Sequence, residues 1–317
     1  MKLNLPPQLN LTPARTAKIA RYAPEIRGGR RQVPVSFQVA LTDSCFNRCI
    51  GCGHPDRDQK KMAPGMWCEF LDDLPVLPES VCYSGGDPMA YPYFNEVMSW
   101  HLQNEIEFGC TITGYVPKTI DMGLLAQAAW IRVSLDALDP EVYAKVRGKT
   151  SVHKVLASID KMLDAGVNVE LGITLHPDNE GELPALKEWA KEKGITEIFA
   201  HYVYPQSNPM WEDIDLEDRG VMSFKTCKAA LHQLYIDSDG SVYPCCVTAG
   251  DTRSQAQGAA LGNIFRDQWA WIWLNVVHYS ELKRSKLPEI CQTCCVKRLS
   301  EINHVHDFLI TDTKSFF

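Results

Sequence analysis

From about residue 35 the chain alternates short apolar runs with amphipathic stretches. VSFQVAL (35–41), SVCYSG (80–85), FGCTITG (108–114), IRVSLDA (131–137), NVELGITL (168–175) and EIFAHYVY (197–204) are rich in β-branched and aromatic residues and bounded by turn formers, so they predict six strands. Helical periodicity lies between them. VHKVLASIDKMLDAG (152–166) puts Val155, Ile159, Met162 and Leu163 on one face and stops at Gly166; ELPALKEWAKEKG (182–194) does the same with Leu183, Leu186 and Ala190 before Gly194. Strand–helix alternation predicts a parallel sheet with right-handed crossovers. Six strands fall short of the eight that close a full barrel. The expected fold is therefore α/β, a partial (β/α)6 TIM-like barrel over residues 35–205.

Near residue 205 the character changes. YPQSNPMWEDIDLEDRG carries two prolines and a cluster of acids and reads as a linker or lid, with the linker set at residues 206–226. QLYIDSDGSVYPCC (233–246) predicts a hairpin joined at Asp-Gly. DQWAWIWLNVV then predicts a helix with Trp269 and Trp273 on one face, packed in the core. Residues 227–317 form a small α+β module on this reading, and residues 1–34 an N-terminal extension.

The 317 residues are 45% hydrophobic and 22% charged, which suits an ordinary globular protein. A net charge of -7 argues against nucleic acid, whose binding rests on many Lys and Arg contacts to phosphate. The basic N-terminal stretch reads as a solvated segment. MKLNLPPQLNLTP has no apolar signal region, and no apolar run has the length of a bilayer. A cytoplasmic protein with no membrane partner is expected. Twelve cysteines in a reducing compartment point to metal binding instead of disulfides.

LTDSCFNRCIGCGHPDR (41–57) holds Cys45, Cys49 and Cys52 as C-x-x-x-C-x-x-C, directly after the first strand. That is the end of a parallel sheet where chemistry collects. Three thiolates can hold three irons of a cubane and leave the fourth open to an exogenous ligand. A zinc site that borrows a fourth ligand, such as His54, is the alternative. YSGGDP (83–88) ends the second strand; two glycines allow close backbone approach, and Asp87 can accept from an ammonium group. By itself Gly-Gly-Asp-Pro is only a turn.

Together, the cysteine triad and Gly-Gly-Asp-Pro resemble the radical S-adenosylmethionine (radical SAM) superfamily. The family's Gly-Gly-Glu-Pro has Asp87 in place of Glu, and Gly51 stands where an aromatic residue usually precedes the third cysteine. The resemblance implies a 4Fe–4S cluster on Cys45, Cys49 and Cys52, with S-adenosyl-L-methionine chelating the open iron. It implies cofactor contacts from Ser84, Gly85, Gly86 and Asp87, from Ser134 and Asp136 in RVSLDALDPEVYAKVRGKTS, and from Thr174. Reductive cleavage would give a 5′-deoxyadenosyl radical that abstracts a hydrogen atom.

Cys227, Cys245, Cys291 and Cys294 form a second set, able by spacing to bind a cluster or zinc. In its context it resembles a Twitch or shortened SPASM domain with one auxiliary 4Fe–4S cluster. Cys246 and Cys295 each adjoin a ligand candidate, so the assignment carries an ambiguity of one residue. Cys68, Cys82 and Cys110 read as ordinary buried thiols. The layout resembles the cyclitol (2-deoxy-scyllo-inosamine) dehydrogenase type, which implies an oxidoreductase acting on a small polar metabolite. Radical modification of a ribosomally made peptide is the alternative, and a non-catalytic cluster or zinc module a third. A flavodoxin- or ferredoxin-type electron donor is implied. Candidate substrate residues at strand ends are His176, Tyr202 and Tyr204, with His54 and Arg57 after the triad.

Overall fold

The computed structural model describes residues 21–26, 28–50, 52, 60–202, 225–250, 258–288, 291 and 302–303. The six expected strands are present: β1 Ser36–Ala40, β2 Ser80–Ser84, β3 Glu107–Ile112, β4 Trp130–Ser134, β5 Val169–Leu175 and β6 Ile198–Tyr202. Helices connect them: α1 Met66–Asp72, α2 Phe94–Asn104, α3 Met122–Leu125, α4 Pro140–Arg147, α5 Val152–Asp164 and α6 Leu183–Glu192. After residue 225 come β7 Gln233–Ile236, β8 Ser241–Tyr243, α7 Cys246–Gly250, β9 Gly262–Asn263 and α8 Trp269–Glu281.

Among the described residues one sheet holds nine strands in the order β6-β5-β4-β3-β2-β1-β7-β8-β9. β1 to β6 are parallel, as in a partial barrel. The predicted hairpin is β7–β8, and it does not stand apart from the barrel. β7 runs parallel to β1, with Phe37 opposite Leu234 and Val39 opposite Ile236. β1 therefore lies inside the sheet, with neighbours on both sides.

Alternate strand residues go to opposite faces. Phe37, Val39, Val81, Tyr83, Phe108 and Ile131 are buried on the convex face, under the helices. There Phe37 meets Trp67 of α1 and Trp269 of α8 edge-on, with centroids 5.9 and 5.8 Å apart. Trp273 is buried beside Trp269, the core role expected of both. Each such side chain contributes about 1.5–3 kcal/mol on burial. One polar chain crosses this layer fully bonded. Trp67 Nε1–H donates to Tyr83 Oη (2.8 Å), Tyr83 Oη–H to His101 Nε2 (2.5 Å), and His101 Nδ1–H to the Ile106 carbonyl (3.0 Å). Burial pulls the His101 pKa down to about 4, so the imidazole is neutral.

The concave face has a different content. Ser36, Ser80, Cys82, Glu107, Trp130 and Gln233 line its lower end. Gln38, between Ser36 and Ala40, donates from Nε2 to Ser84 Oγ at 2.9 Å.

Candidate functional site

Cys45, Cys49 and Cys52 follow β1 on a loop fastened from three sides. The exit of β2 supplies Gly86 N–H to the Thr42 carbonyl (3.0 Å) and Asp87 N–H to the Ser44 carbonyl (2.7 Å). The end of α4 accepts Arg48 N–H at Arg147 O and Ile50 N–H at Val146 O, both at 3.1 Å. The β7–β8 turn adds Ser238 Oγ–H to Asp43 Oδ1 at 2.6 Å.

The two glycines serve this packing. A Cβ on Gly85, whose φ is +93°, would lie 2.2 Å from Ala40 Cβ, and one on Gly86 would lie 2.2 Å from the Ser44 carbonyl. Gly85 lets β2 lie against the end of β1 and Gly86 lets it lie against the triad loop, and both also line the cavity where close backbone approach to a ligand is expected. Asp87, by contrast, differs from expectation. Its carboxylate is fully buried, accepting from Met89 N–H (2.9 Å), Thr113 N–H (3.0 Å) and Thr113 Oγ (2.5 Å). It ties the exit of β2 to Thr113 just after β3 and does not line the cavity. Burial raises its pKa to about 6 against these bonds.

The three triad cysteines share a cavity of about 200 Å³ with Ser84, Gly85 and Gly86 on one side and Ser134, Asp136, Thr174 and His176 on the other. Most of the predicted cofactor residues thus converge. Asp136 organises the far wall: Oδ1 accepts from Thr174 N–H (2.8 Å), and Oδ2 lies 3.2 Å from Arg147 Nε. Asn179 pins the following loop by donating from Nδ2 to the carbonyls of Asp136 and Thr174, both at 2.9 Å, while accepting His176 N–H at 2.8 Å. His176 Nδ1 accepts Asp178 N–H at 3.1 Å. Its neutral form therefore carries the proton on Nε2, and burial, partly offset by Asp178, lowers its pKa. His176 is a hydrogen-bond donor in this arrangement and not a free base.

Arg147 is the functional residue that the sequence did not single out. It is buried, and its guanidinium donates to the Ser134 carbonyl (2.6 Å) and to Cys49 Sγ (3.3 Å). Burial works against its charge, while Asp136 and Cys49 hold it above the ordinary arginine range. A fixed cation at Cys49 offsets negative charge on the thiolates. In the sequence it stood only as the Arg-Gly of RVSLDALDPEVYAKVRGKTS, without an assigned role; in the structure it closes α4, where cations are common.

Below the cavity on the concave wall, between Trp130 and Ser134 of β4, Arg132 pairs with Glu170 through Nη2 (2.7 Å) and Nε (3.1 Å), between the rings of Phe199 and Trp130. Two glycines make the room. A Cβ on Gly109 would meet the Trp130 indole at 2.3 Å, and one on Gly172 the Arg132 stem at 3.2 Å.

Cys227, Cys245 and Cys291 gather round Tyr279 of α8. Tyr279 Oη lies 3.3 Å from Cys291 Sγ, and burial together with all three thiols raises its pKa. Backbone N–H groups of Ala229 and Ala230 aim at the Cys227 sulfur, and those of Val247 and Thr248 at Cys245. Thiolates want such donors, so both cysteine sets fit iron–sulfur clusters. Among the described residues no three Cys, His, Asp or Glu side chains close on a single ion; a cubane spaces its thiolates more widely. Cys246 turns the other way, against Ala40, Tyr235 and Tyr243 and toward Cys82. Cys245 is thus the member of the pair that sits with the second set. Cys110 is buried as expected, whereas Cys68 and Cys82 are half-buried. Tyr202 ends β6 opposite Leu175. His54, Arg57, Tyr204, Cys294 and Cys295 lie outside the described residues.

Among the described residues no helix is long and apolar enough to cross a membrane. Residues 39–213, more than half of the chain, match the sequence model of the radical SAM superfamily. Residues 227–295 match SPASM, an iron–sulfur cluster-binding domain, which favours a cluster over zinc there. The GTP 3′,8-cyclase of Rhodopseudomonas palustris is 28% identical over 175 residues, 50% of this chain and 50% of that protein. That of Nitrobacter winogradskyi is 29% identical over 193 residues, 54% and 55% respectively. The chain spans about half the length of the curated relatives it matches. These relatives are cyclases and lend no support to the cyclitol dehydrogenase type. Among solved structures, Streptococcus suis SuiB bound to precursor peptide SuiA superposes with a TM-score of 0.65 at 16% identity, over 89% of this chain and 73% of that one. The protein anSMEcpe with bound AdoMet and Cp18Cys peptide gives 0.59 at 16%, over 84% and 88%. These likenesses establish the fold.

Proposed function

The chain belongs to the radical SAM superfamily, and on that premise we propose that it oxidises a polar, uncharged small molecule by two electrons. Its cofactors are S-adenosylmethionine and two iron–sulfur clusters. The observation that carries the substrate class is the concave wall. Hydroxyl and amide groups recur along its strands, and its cations Arg132 and Arg147 are each engaged by a carboxylate. A nucleoside triphosphate calls for several available cations, and the described wall offers none beyond these two. A sugar or cyclitol finds matching donors and acceptors.

On this reading Cys45, Cys49 and Cys52 hold the first 4Fe–4S cluster, and Cys227, Cys245, Cys291 and Cys294 the second. S-adenosylmethionine and a reduced cluster held there would supply the chemistry of hydrogen-atom abstraction from the substrate. The chain's own residues do the rest. Ser84, Gly85 and Gly86 face Ser134 and Thr174 across the cavity and orient the cofactor. Arg147 balances charge at Cys49. His176 offers the Nε2 proton to a bound oxygen. Cys227, Cys245, Cys291 and Cys294 would hold a cluster able to accept the second electron, with the accompanying proton leaving to solvent, which balances a two-electron oxidation. A cytoplasmic flavodoxin- or ferredoxin-type protein provides the initiating electron.

A second reading is modification of a peptide. It is favoured by the broad coverage of SuiB and anSMEcpe, whose structures hold peptides. One experiment separates the readings. The anaerobically reconstituted protein is given S-adenosylmethionine with deuterated cyclitols, deuterated peptide or GTP, and 5′-deoxyadenosine is analysed for deuterium. Label from a cyclitol supports the oxidation, label from peptide replaces it with the second reading, and turnover only with GTP overturns both. About eight irons per chain, falling to about four in Cys291→Ala/Cys294→Ala, verifies two cubanes.

A further inference from the structure

We propose that the Tyr279 hydroxyl donates a hydrogen bond to the second cluster through Cys291 and so sets the potential at which that cluster takes up an electron. The inference rests on the two-cluster reading above. Tyr279 belongs to the buried stripe of α8, with Ile272, Trp273 and Val276 at helical spacing. That stripe is apolar until it reaches the thiols, where it ends in a phenol that is 6% exposed. Phenylalanine would fill the same volume. A buried hydroxyl needs a partner to offset its desolvation, and Cys291 Sγ stands 3.3 Å from it.

A cluster-ligating cysteine is a thiolate with no proton, so the phenol must give the hydrogen bond. Cys291 is held for it by its own N–H to the Pro288 carbonyl at 2.8 Å. Reduction adds one electron and one negative charge to the cluster and moves no proton from Tyr279. A fixed O–H dipole stabilises the more negative state more strongly, so it raises the potential. The backbone N–H groups at Cys227 and Cys245 act in the same direction, but they belong to the local backbone. Tyr279 is an O–H donor that one substitution removes.

The test is an anaerobic redox titration followed by electron paramagnetic resonance, on the full chain carrying both clusters. The first cluster is identified as the one whose signal changes when S-adenosylmethionine is added. Tyr279→Phe is expected to lower the reduced-to-oxidised ratio of the second cluster about tenfold at a fixed potential, a shift of about 59 mV for a one-electron couple. The first cluster should not move. Should Tyr279→Phe lose iron, difluorotyrosine at position 279 is used instead; its stronger donor is expected to raise the ratio. A second-cluster potential equal to wild type in a fully loaded variant overturns the proposal. A wild-type protein with only about four irons overturns the two-cluster reading itself.

Discussion

The convex and concave faces of the sheet are made from alternate residues of the same strands, yet their contents are opposite. On β1 and β2 the convex set is Phe37, Val39, Val81 and Tyr83, all at most 1% exposed, while Ser36, Gln38, Ser80, Cys82 and Ser84 look the other way. A parallel sheet covered on both faces reads as continuous apolar runs. Alternation in parallel strands therefore marks one face as left for a ligand. The convex face is where folding free energy is gained, and the concave face is where that rigidity is used.

The sharpest way to break this contrast is to attack the convex side. Phe37→Ala removes a fully buried ring that touches Trp67, Phe70 and Trp269. It should cost about 3–5 kcal/mol, as large-to-small core substitutions do, and urea unfolding would register it. The cofactor cavity should be intact in molecules that stay folded.

Next in size is the pH response of the buried chain at His101. Its folded pKa of about 4 lies below the ordinary 6.5. The unfolded state therefore binds more protons between those values, and stability falls as pH drops through that window. The loss is about 3 kcal/mol at 1.36 kcal/mol per unit. Asp87, raised to about 6 from 3.8, acts in the opposite sense over its own window. The difference between wild type and His101→Gln, measured by urea unfolding at pH 7.5 and 4.5, isolates the histidine. Stability of the variant relative to wild type should rise as the pH falls from 7.5 to 4.5, because only wild type has the His101 loss.

On the concave side Gly86→Ala tests function with little stake in the core. The added methyl would lie 2.2 Å from the Ser44 carbonyl and 2.6 Å from that of Thr42, so the triad loop has to move. Displacements of about 1 Å near reacting groups cost on the order of 100-fold in rate. Formation of 5′-deoxyadenosine should fall by about that factor, with the unfolding midpoint changed far less than in Phe37→Ala.

Much of this division was legible in the chain. The six strands, the triad and Gly-Gly-Asp-Pro announced themselves by local pattern, because each depends on neighbours a few residues apart. What stayed hidden depends on distant partners. Nothing local showed that β7 would pair with β1, or that Gly85 and Gly86 answer to the end of β1 and the triad loop. Asp87 gave no sign that Thr113 would claim its carboxylate. Arg147 carried no local mark of its place against Cys49, a residue 98 positions away in the chain.

The smallest expected effect decides most directly whether the concave wall is a site or a second core. Arg132 and Glu170 form an ion pair whose side chains are 25% and 11% exposed. In a packed interior, removing one partner strands a charge and costs about 3–5 kcal/mol. On a wall open to solvent and ligand, water takes over the abandoned carboxylate, and the loss is about 1 kcal/mol or less. Arg132→Met keeps most of the stem that lies against Gly172 and between Trp130 and Phe199, so it removes charge with little loss of volume. Urea unfolding should place it at the lower value. A cost near that of Phe37→Ala would mean that both faces are core, and the contrast between them would fail.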